Sequence, residues 1–127
     1  IVKRLGLNPL RFLDIFYQAG LTSEEARASG SIYRAIHESE PNRTIKSPAT
    51  LDHRYIKEDV GYGLVPMAEI GRLVGVKTPV IDALIMLASV ISGTDYRNEG
   101  LTLEKMGLST VAAERLPTVL HDGFSDS

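Results

Sequence analysis

The sequence has no cysteine among its 127 residues, which excludes disulfides, thiolate metal ligands and cysteine nucleophiles. It also has no long apolar run: the longest, Pro79 to Ile91, is interrupted by Asp82 and Ser89. That run is shorter than the ~20 residues a transmembrane helix needs. With 14 basic and 16 acidic side chains, the net charge is -2. We therefore expect neither a nucleic-acid partner nor a membrane partner.

The first part of the chain shows helical spacing of apolar residues. Basic residues before Gly6 predict the last turn of a helix, and the Asn8-Pro9 pair predicts the start of a helix that ends at Gly20. Thr22 and Glu25 form a capping-box pattern for a further helix that ends near Glu38. The expected buried positions of that helix are Ala26, Ile32, Tyr33 and Ile36.

The second part begins with a predicted loop over residues 39–52, where two prolines interrupt and the apolar periodicity stops. After it we expect a turn or helix at 55–61, a helix at 66–74 closed by Gly75, and a buried core helix from Thr78-Pro79. Shorter helices are expected at 103–106 and 111–120, the second interrupted by Pro117. No segment has a strand pattern, so the spacing predicts one all-α domain.

Side chains that can bind a substrate or transfer a proton are concentrated between His53 and Val60. Arg54, Tyr55, Glu58 and Asp59 follow the predicted loop directly. An arginine can bind a carboxylate through two parallel hydrogen bonds, and an aspartate can orient an imidazole. The spacing alone leaves two interpretations open, a substrate site or a surface cluster of salt bridges at a helix start.

A longer pattern surrounds this cluster. It consists of residues 54–60 (RYIKEDV), residues 63–66 (GLVP), Gly71, Gly75-Val76, Thr78-Pro79, Tyr96 and Gly107-Leu108. In these positions the sequence resembles the C-terminal helical domain of octopine and nopaline dehydrogenases. The match is dense over residues 53–108 and loose outside them, and a pattern of this length is far more specific than a lone glycine motif.

The resemblance implies a function. In that family NAD(P)H reduces the imine formed between a 2-keto acid and the amino group of an amino acid. Arg54 matches the arginine that binds a substrate carboxylate. Asp59 matches the catalytic aspartate that pairs with a histidine, and that histidine belongs to a part of the pattern upstream of Ile1. Glu58 is a second candidate substrate-binding residue, through the amine, with a solvated carboxylate as its alternative.

The resemblance also implies an architecture. The expected fold is an all-α bundle similar to the C-terminal domain of 6-phosphogluconate dehydrogenase. Residues 1–127 would be a fragment whose N-terminal Rossmann domain is absent, and that domain would bind NAD or NADP. The expected partners are the two substrates, the Rossmann domain and a second copy in a homodimer. The expected location is cytoplasmic, and we expect the isolated fragment to be inactive.

The remaining histidines, the glycines and the helix pair around Gly75 could each point to another function. His53 adjoins Arg54 and is a weaker catalytic candidate, while His37 and His121 are scattered, so no metal site is expected. Glycines 61, 63, 71 and 75 do not form a dinucleotide fingerprint and are interpreted as turns and close helix contacts. A helix-turn-helix at residues 71–81 is disfavoured because its second helix offers only Asp82 and Ser89 to DNA. A helical interaction or oligomerisation module remains the alternative function.

Overall fold

A computed structural model describes residues 1–124, and within them all regular structure is helical, which confirms the all-α prediction. These residues form two compact units. Asn8–Ser47 is the small unit, and Ile1–Leu7 together with the chain from Pro48 onward is the large unit. The assignment of the chain to a single domain of a longer enzyme stays a prediction.

The small unit holds four helices: α1 (Phe12–Gln18), α2 (Glu24–Ser29), α3 (Ile32–Glu38) and α4 (Glu40–Arg43). The predicted helix start at Asn8-Pro9 was wrong, because α1 begins after Arg11. The Arg11 guanidinium donates two hydrogen bonds to the Asp14 carboxylate, at 2.8 and 3.2 Å, across the first turn. α4 lies inside the predicted loop. Pro41 is its second residue, and the first turn of a helix is a favourable place for proline.

The predicted helix from Thr22 to Glu38 is two helices. Gly30 ends α2 in the left-handed conformation (φ 70°), and the Ser31 hydroxyl starts α3 by accepting the Arg34 N–H. The capping residue of α2 is Ser23, whose hydroxyl accepts the Ala26 N–H at 3.1 Å. The predicted capping box, with Thr22 as the capping residue, was therefore wrong by one residue.

Small side chains form the contact between α2 and α3. Ala26 is fully buried as predicted, and Ala35 is fully buried as well. The predicted burial of Ile32, Tyr33 and Ile36 was wrong, since all three are exposed, Tyr33 to 71%. Because a new helix begins after Ser31, α3 is rotated relative to a straight continuation of α2. With this rotation Ala35 faces inward.

Glu38 ties the end of α3 to the start of α2. Its Oε1 accepts hydrogen bonds from the Thr22 hydroxyl and from the Ser23 N–H, both at 2.7 Å. The bond from the Ser23 backbone N–H, with further bonds from the Ser23 and Thr22 side chains, lowers the pKa of Glu38 to about 2. An ionised Glu38 thus stabilises the N-terminus of α2.

The large unit begins with a 3₁₀ turn at Val2–Leu5, closed by Gly6 as predicted. Its main helices are α5 (Arg54–Glu58), a π-helix (Asp59–Leu64), α6 (Val65–Leu73), α7 (Pro79–Ser92), α8 (Tyr96–Glu99) and α9 (Leu116–Asp122). The predicted helix at 103–106 is a series of turns. Pro117 lies at the start of α9, after a 3₁₀ turn at Ala113–Arg115, and does not interrupt a helix.

Two apolar clusters organise the large unit. The first joins the π-helix, α6, α7 and α8, and its buried members are Val60, Val65, Ala68, Ile85 and Tyr96. The second joins the end of α6 to α9, through Val74, Leu108 and Leu116. The first cluster supports the segment that carries the candidate site.

α7 is the long apolar helix that the sequence predicted, and Pro79 lies in its first turn. Its predicted burial was wrong: Ile85 is its one fully buried residue, while Val80, Leu84, Leu87 and Ile91 are exposed. Within residues 1–124, no helix combines the length and the apolar character needed to cross a bilayer.

Candidate functional site

His53 fixes the start of the helix that carries the candidate residues. Its Nδ1 accepts a hydrogen bond from the Tyr55 N–H at 3.2 Å, which caps α5. The His53 and Tyr55 rings meet edge to face at 4.6 Å between centroids. In this geometry His53 acts on the helix start, because its Nδ1 lone pair is already used. Arg54 follows as the first helical residue.

The side chains of Arg54, Glu58 and Asp59 are exposed and form no hydrogen bond or ion pair with any group in residues 1–124. Within that range the three residues take no part in a salt bridge, and their roles at a substrate site stay a prediction. The Arg54 guanidinium lies over the Tyr55 ring, 5.4 Å from its centroid, in a cation–π contact. Its donors remain available to a ligand.

The ion pair in this segment joins two other residues. Lys57 Nζ lies 2.6 Å from an Asp52 carboxylate oxygen. Their hydrogen bond lowers the pKa of Asp52 and raises the pKa of Lys57. Because Lys57 is engaged by Asp52, it is not the partner of Glu58 or Asp59.

Helix geometry separates the three candidates into two groups. Residues four apart on an α-helix lie about 40° apart around the axis, and residues five apart lie about 140° apart. Arg54 and Glu58 therefore share one face of α5. Asp59 is the first residue of the π-helix and lies on a different face. The helix thus places Arg54 and Glu58 on one face without an ion pair between them, and Asp59 on another.

The π-helix is anchored from outside the segment. The Gly61 carbonyl accepts a hydrogen bond from the Leu101 N–H at 2.8 Å. Gly100 packs so closely that a Cβ there would lie 2.7 Å from the Gly61 oxygen and 2.6 Å from the Tyr96 oxygen. π-helices are rare and recur at functional sites. Glycines 61 and 63 within a helical run are a weak sequence signal for this π-helix.

Two further residues support the anchor. The Tyr96 ring packs against Gly61, where a Cβ would lie 3.6 Å from Tyr96 Cδ1. The Tyr96 hydroxyl is buried without a hydrogen-bond partner in the described part of the chain. Lys105 Nζ donates to the carbonyl oxygens of Asn98, Glu99 and Gly100, at 2.9, 2.7 and 3.0 Å. Nothing in the sequence pattern identifies Lys105 as the cap of α8.

The other histidines lie apart from this site. His37 lies in the last turn of α3, with its Nδ1 3.0 Å from the Tyr33 carbonyl oxygen. His121 pairs with Asp122 at 2.6 Å. Among residues 1–124, no three His, Asp or Glu side chains are grouped so that they could hold a metal ion.

The described residues do not fit a dinucleotide. A phosphate-binding turn of that class follows a β-strand, and residues 1–124 contain no strand. Gly71 lies within α6, where a Cβ would meet Thr78 Cγ2 at 2.9 Å and the Val76 oxygen at 3.0 Å. Gly75 has a φ of 72° just after α6. Gly71 thus allows a close helix contact and Gly75 forms a turn, as the sequence predicted.

Comparison with known proteins gives a family match over most of the chain. Residues 1–92 match the family model described as NAD/NADP octopine/nopaline dehydrogenase, alpha-helical domain. This range contains α5, the π-helix, α6 and α7. The candidate residues therefore lie inside the matched region.

Individual relatives agree with the family match. The chain is 47% identical over 87 residues to an opine dehydrogenase of Arthrobacter sp. (strain 1C), a match that covers 68% of this chain and 24% of that protein. It is 30% identical over 77 residues to the protein ocs of Agrobacterium tumefaciens (strain Ach5), covering 61% of this chain and 22% of that protein. It is also 30% identical over 77 residues to a vitopine synthase of Allorhizobium ampelinum, a match that covers 61% of this chain and 21% of that protein. The matched stretch spans about a quarter or less of each relative.

Proposed function

Because this chain belongs to the family described as NAD/NADP octopine/nopaline dehydrogenase, alpha-helical domain, we propose that it is the substrate-binding and catalytic-support part of an opine-dehydrogenase-like oxidoreductase. The enzyme would reduce the imine formed from a 2-keto acid and an amino acid. The 47% identity to an opine dehydrogenase supports this class of activity.

The observation that carries the proposal is the unpaired guanidinium of Arg54. It is exposed on the first turn of α5, and within residues 1–124 no carboxylate neutralises it. An unpaired arginine can hold a substrate carboxylate through two charge-assisted hydrogen bonds. Glu58 lies on the same face of α5, where it would contact the positively charged amine of the second substrate.

Asp59 has a different part in the proposal. Its carboxylate has no partner within residues 1–124, and its backbone begins a π-helix that the Leu101 N–H and the packing of Gly100 hold in place. Asp59 would orient a histidine contributed from outside this chain and would stabilise its protonated form. That histidine would exchange a proton with the reacting substrate.

The remaining parts of the proposal lie outside the described residues. The family description names NAD and NADP, and since these residues do not fit a dinucleotide, we assign its binding to a Rossmann domain elsewhere in the full protein. The substrates would lie between that domain and α5, as ligands commonly lie at domain interfaces. A cytoplasmic location belongs to the same proposal, because cells hold their reduced nicotinamide cofactors inside.

The test is an assay of the longer protein that contains this chain. We expect oxidation of NADH or NADPH with pyruvate and a panel of amino acids to require both substrates together. Equal oxidation with the keto acid alone would point to a hydroxy-acid dehydrogenase and contradict the proposal. As a second arm, calorimetric titration of the 127-residue chain with NADH and NADPH should give no binding, and micromolar binding would contradict the assignment of the cofactor site.

A further inference from the structure

Tyr62 is an exposed aromatic residue in the π-helix. It is exposed to 66%, and within residues 1–124 its hydroxyl forms no hydrogen bond. A tyrosine ring offers a rigid apolar surface with one polar group at its tip. What such a ring can bind depends on which side of the helix it occupies relative to Arg54 and Glu58.

The π-helix determines that side. Its six residues turn the chain about as far as five α-helical residues would, so each residue advances the chain by about 83° and not by about 100°. The four α-helical steps from Arg54 to Glu58 give a net rotation of about 40°. The four π-helical steps from Glu58 to Tyr62 return about 27° of it. Tyr62 therefore lies within about 15° of Arg54 around the axis, whereas an uninterrupted α-helix would separate them by about 80°.

The burial of two valines agrees with this rotation. Val60 and Val65 are 7% and 2% exposed and belong to the first cluster of the large unit. The π-helical steps turn them away from Arg54 by about 150° and about 90°. In an uninterrupted α-helix Val65 would lie about 20° from Arg54, on the exposed side. The π-helix thus keeps Val65 in the core and aligns Tyr62 with Arg54 and Glu58 on one face, which we call the Arg54–Tyr62 face.

The chain carries no charge for some distance after Asp59. Residues 60–68 contain no acidic or basic side chain. The next charged residue, Glu69, is already engaged: its carboxylate lies 2.7 Å from an Arg72 nitrogen and accepts a hydrogen bond from the Leu103 N–H at 3.4 Å. A charged substrate group beside Tyr62 would therefore find no free opposite charge in the segment that follows it.

The Arg54–Tyr62 face changes in character along the helix. It begins with a cation at Arg54, continues with an anion at Glu58 one turn later, and ends with an aromatic ring at Tyr62 after a further turn. An amino acid has three matching groups, a carboxylate, an amine and a side chain. In the proposed function Arg54 holds a carboxylate and Glu58 contacts the amine. The side chain is the group that remains for Tyr62.

From these observations we propose that Tyr62 contacts the side chain of the amino-acid substrate and makes the enzyme select amino acids with apolar side chains, aliphatic or aromatic. An apolar side chain would remove part of the exposed ring from water, which is favourable. The inference rests on the proposed function, since it assumes an amino-acid substrate, and it adds the class of that substrate and the residue that selects it.

Steady-state kinetics of the longer protein, with pyruvate and a panel of amino acids, test the selection. We expect kcat/KM for leucine and phenylalanine to exceed that for arginine and aspartate by about tenfold or more, the size of effect that a small apolar contact gives. Tyr62→Ala should raise KM for leucine and phenylalanine by about tenfold and leave KM for alanine and kcat nearly unchanged. Tyr62→Phe should resemble wild type, because the ring and not the hydroxyl makes the contact.

Two results of these assays would overturn the inference while the proposed function stands. One is an enzyme that requires both substrates but prefers arginine or aspartate. The other is a folded Tyr62→Ala variant, checked by circular dichroism, whose KM for leucine and phenylalanine is that of wild type. Oxidation of NADH or NADPH that needs no amino acid would overturn the proposed function and the inference together.

A change of charge tests the position of Tyr62 on the face. Tyr62→Glu should raise the ratio of kcat/KM for arginine to that for phenylalanine by about tenfold or more, because it adds a carboxylate where the substrate side chain would lie. Met67→Glu is the matched control: Met67 is exposed to 52% and lies about a quarter turn from Tyr62 around the axis. It should leave the ratio close to the wild-type value. Equal shifts in the two folded variants would indicate a general effect of charge and overturn the assignment of Tyr62.

Discussion

The Gly61 carbonyl oxygen and the Leu101 N–H, far apart in sequence, are joined by a 2.8 Å hydrogen bond that holds the π-helix beginning at Asp59. Leu101 can reach Gly61 because its neighbour is glycine: a Cβ on residue 100 would lie within 2.9 Å of Val65 Cγ2 and closer still to two carbonyl oxygens. The geometry of the candidate site thus depends on a residue outside it.

Gly100→Ala should therefore destabilise the large unit by about 1–3 kcal/mol, as overpacking of a tight site does. Thermal unfolding measures the effect. Gly63→Ala is the control, since a Cβ there would meet no atom within 4 Å and the residue is helical. We expect the control to be neutral or slightly stabilising. If Gly100→Ala unfolds at the same temperature as wild type, the close packing does not constrain the π-helix.

Arg54→Ala should raise the KM for the carboxylate substrate of the full enzyme at least tenfold. Hydrogen bonds to charged groups contribute about 1.5–3 kcal/mol, which corresponds to roughly tenfold or more in affinity. Arg54→Lys should restore part of the loss, because an ammonium group cannot form the planar double contact. Steady-state kinetics with varied keto acid and amino acid measure both variants. An unchanged KM for both substrates would remove Arg54 from the binding site.

Asp59→Asn should chiefly lower kcat, by about tenfold or more, because an amide fills the same space but cannot stabilise an imidazolium. KM for the substrates and affinity for NADH should change little. Asp52→Asn is the matched control: it removes a nearby carboxylate whose partner is Lys57, and it should leave kcat near the wild-type value. Equal loss of kcat in the two variants would indicate a general effect of charge and not a specific role of Asp59.

Acidic pH should lower the stability of the small unit, because it protonates Glu38. The pKa of this carboxyl is lowered from 4.5 to about 2 in the folded chain, so its contribution to stability is complete above pH 4.5. That contribution is lost as the pH falls toward 2. Glu38→Gln should reduce the acid dependence over this window, as measured by NMR signals of residues in α2 and α3. Glu40→Gln is the control, because among residues 1–124 Glu40 pairs only with Arg43, at the surface. An unchanged acid profile in Glu38→Gln would contradict the assigned role.

Some local signals in the sequence predicted local structure correctly, and others, such as the Asn8-Pro9 pair, did not. Gly75 and the Thr78-Pro79 pair mark the end of α6 and the start of α7, because a left-handed turn and a fixed proline φ are properties of single residues. The division between α2 and α3 was missed, since one left-handed glycine and one serine cap interrupt an otherwise continuous helical pattern.

Properties that depend on distant partners could not be predicted in this way. The burial of Ala35 depends on how α3 turns toward α2, and the exposed stripe of α7 has the same apolar spacing as a buried helix. The candidate site residues came from the resemblance to a family. That Arg54 has no carboxylate partner in the described part of the chain follows from geometry, which the order of charges along the sequence does not determine.

The π-helix also fixes the rotation of α6 relative to α5. Each residue in an α-helix advances the chain by about 100° around the axis. A π-helix has more residues per turn than an α-helix, so the six residues of Asp59–Leu64 turn the chain about as far as five α-helical residues would. Removing one of them would therefore allow an ordinary α-helix while Val65 and Ala68, now buried in the first cluster, kept the side that faces Ile85. The core thus constrains the number of residues in this segment less than the close approach of Gly100 to the Gly61 oxygen constrains their identity.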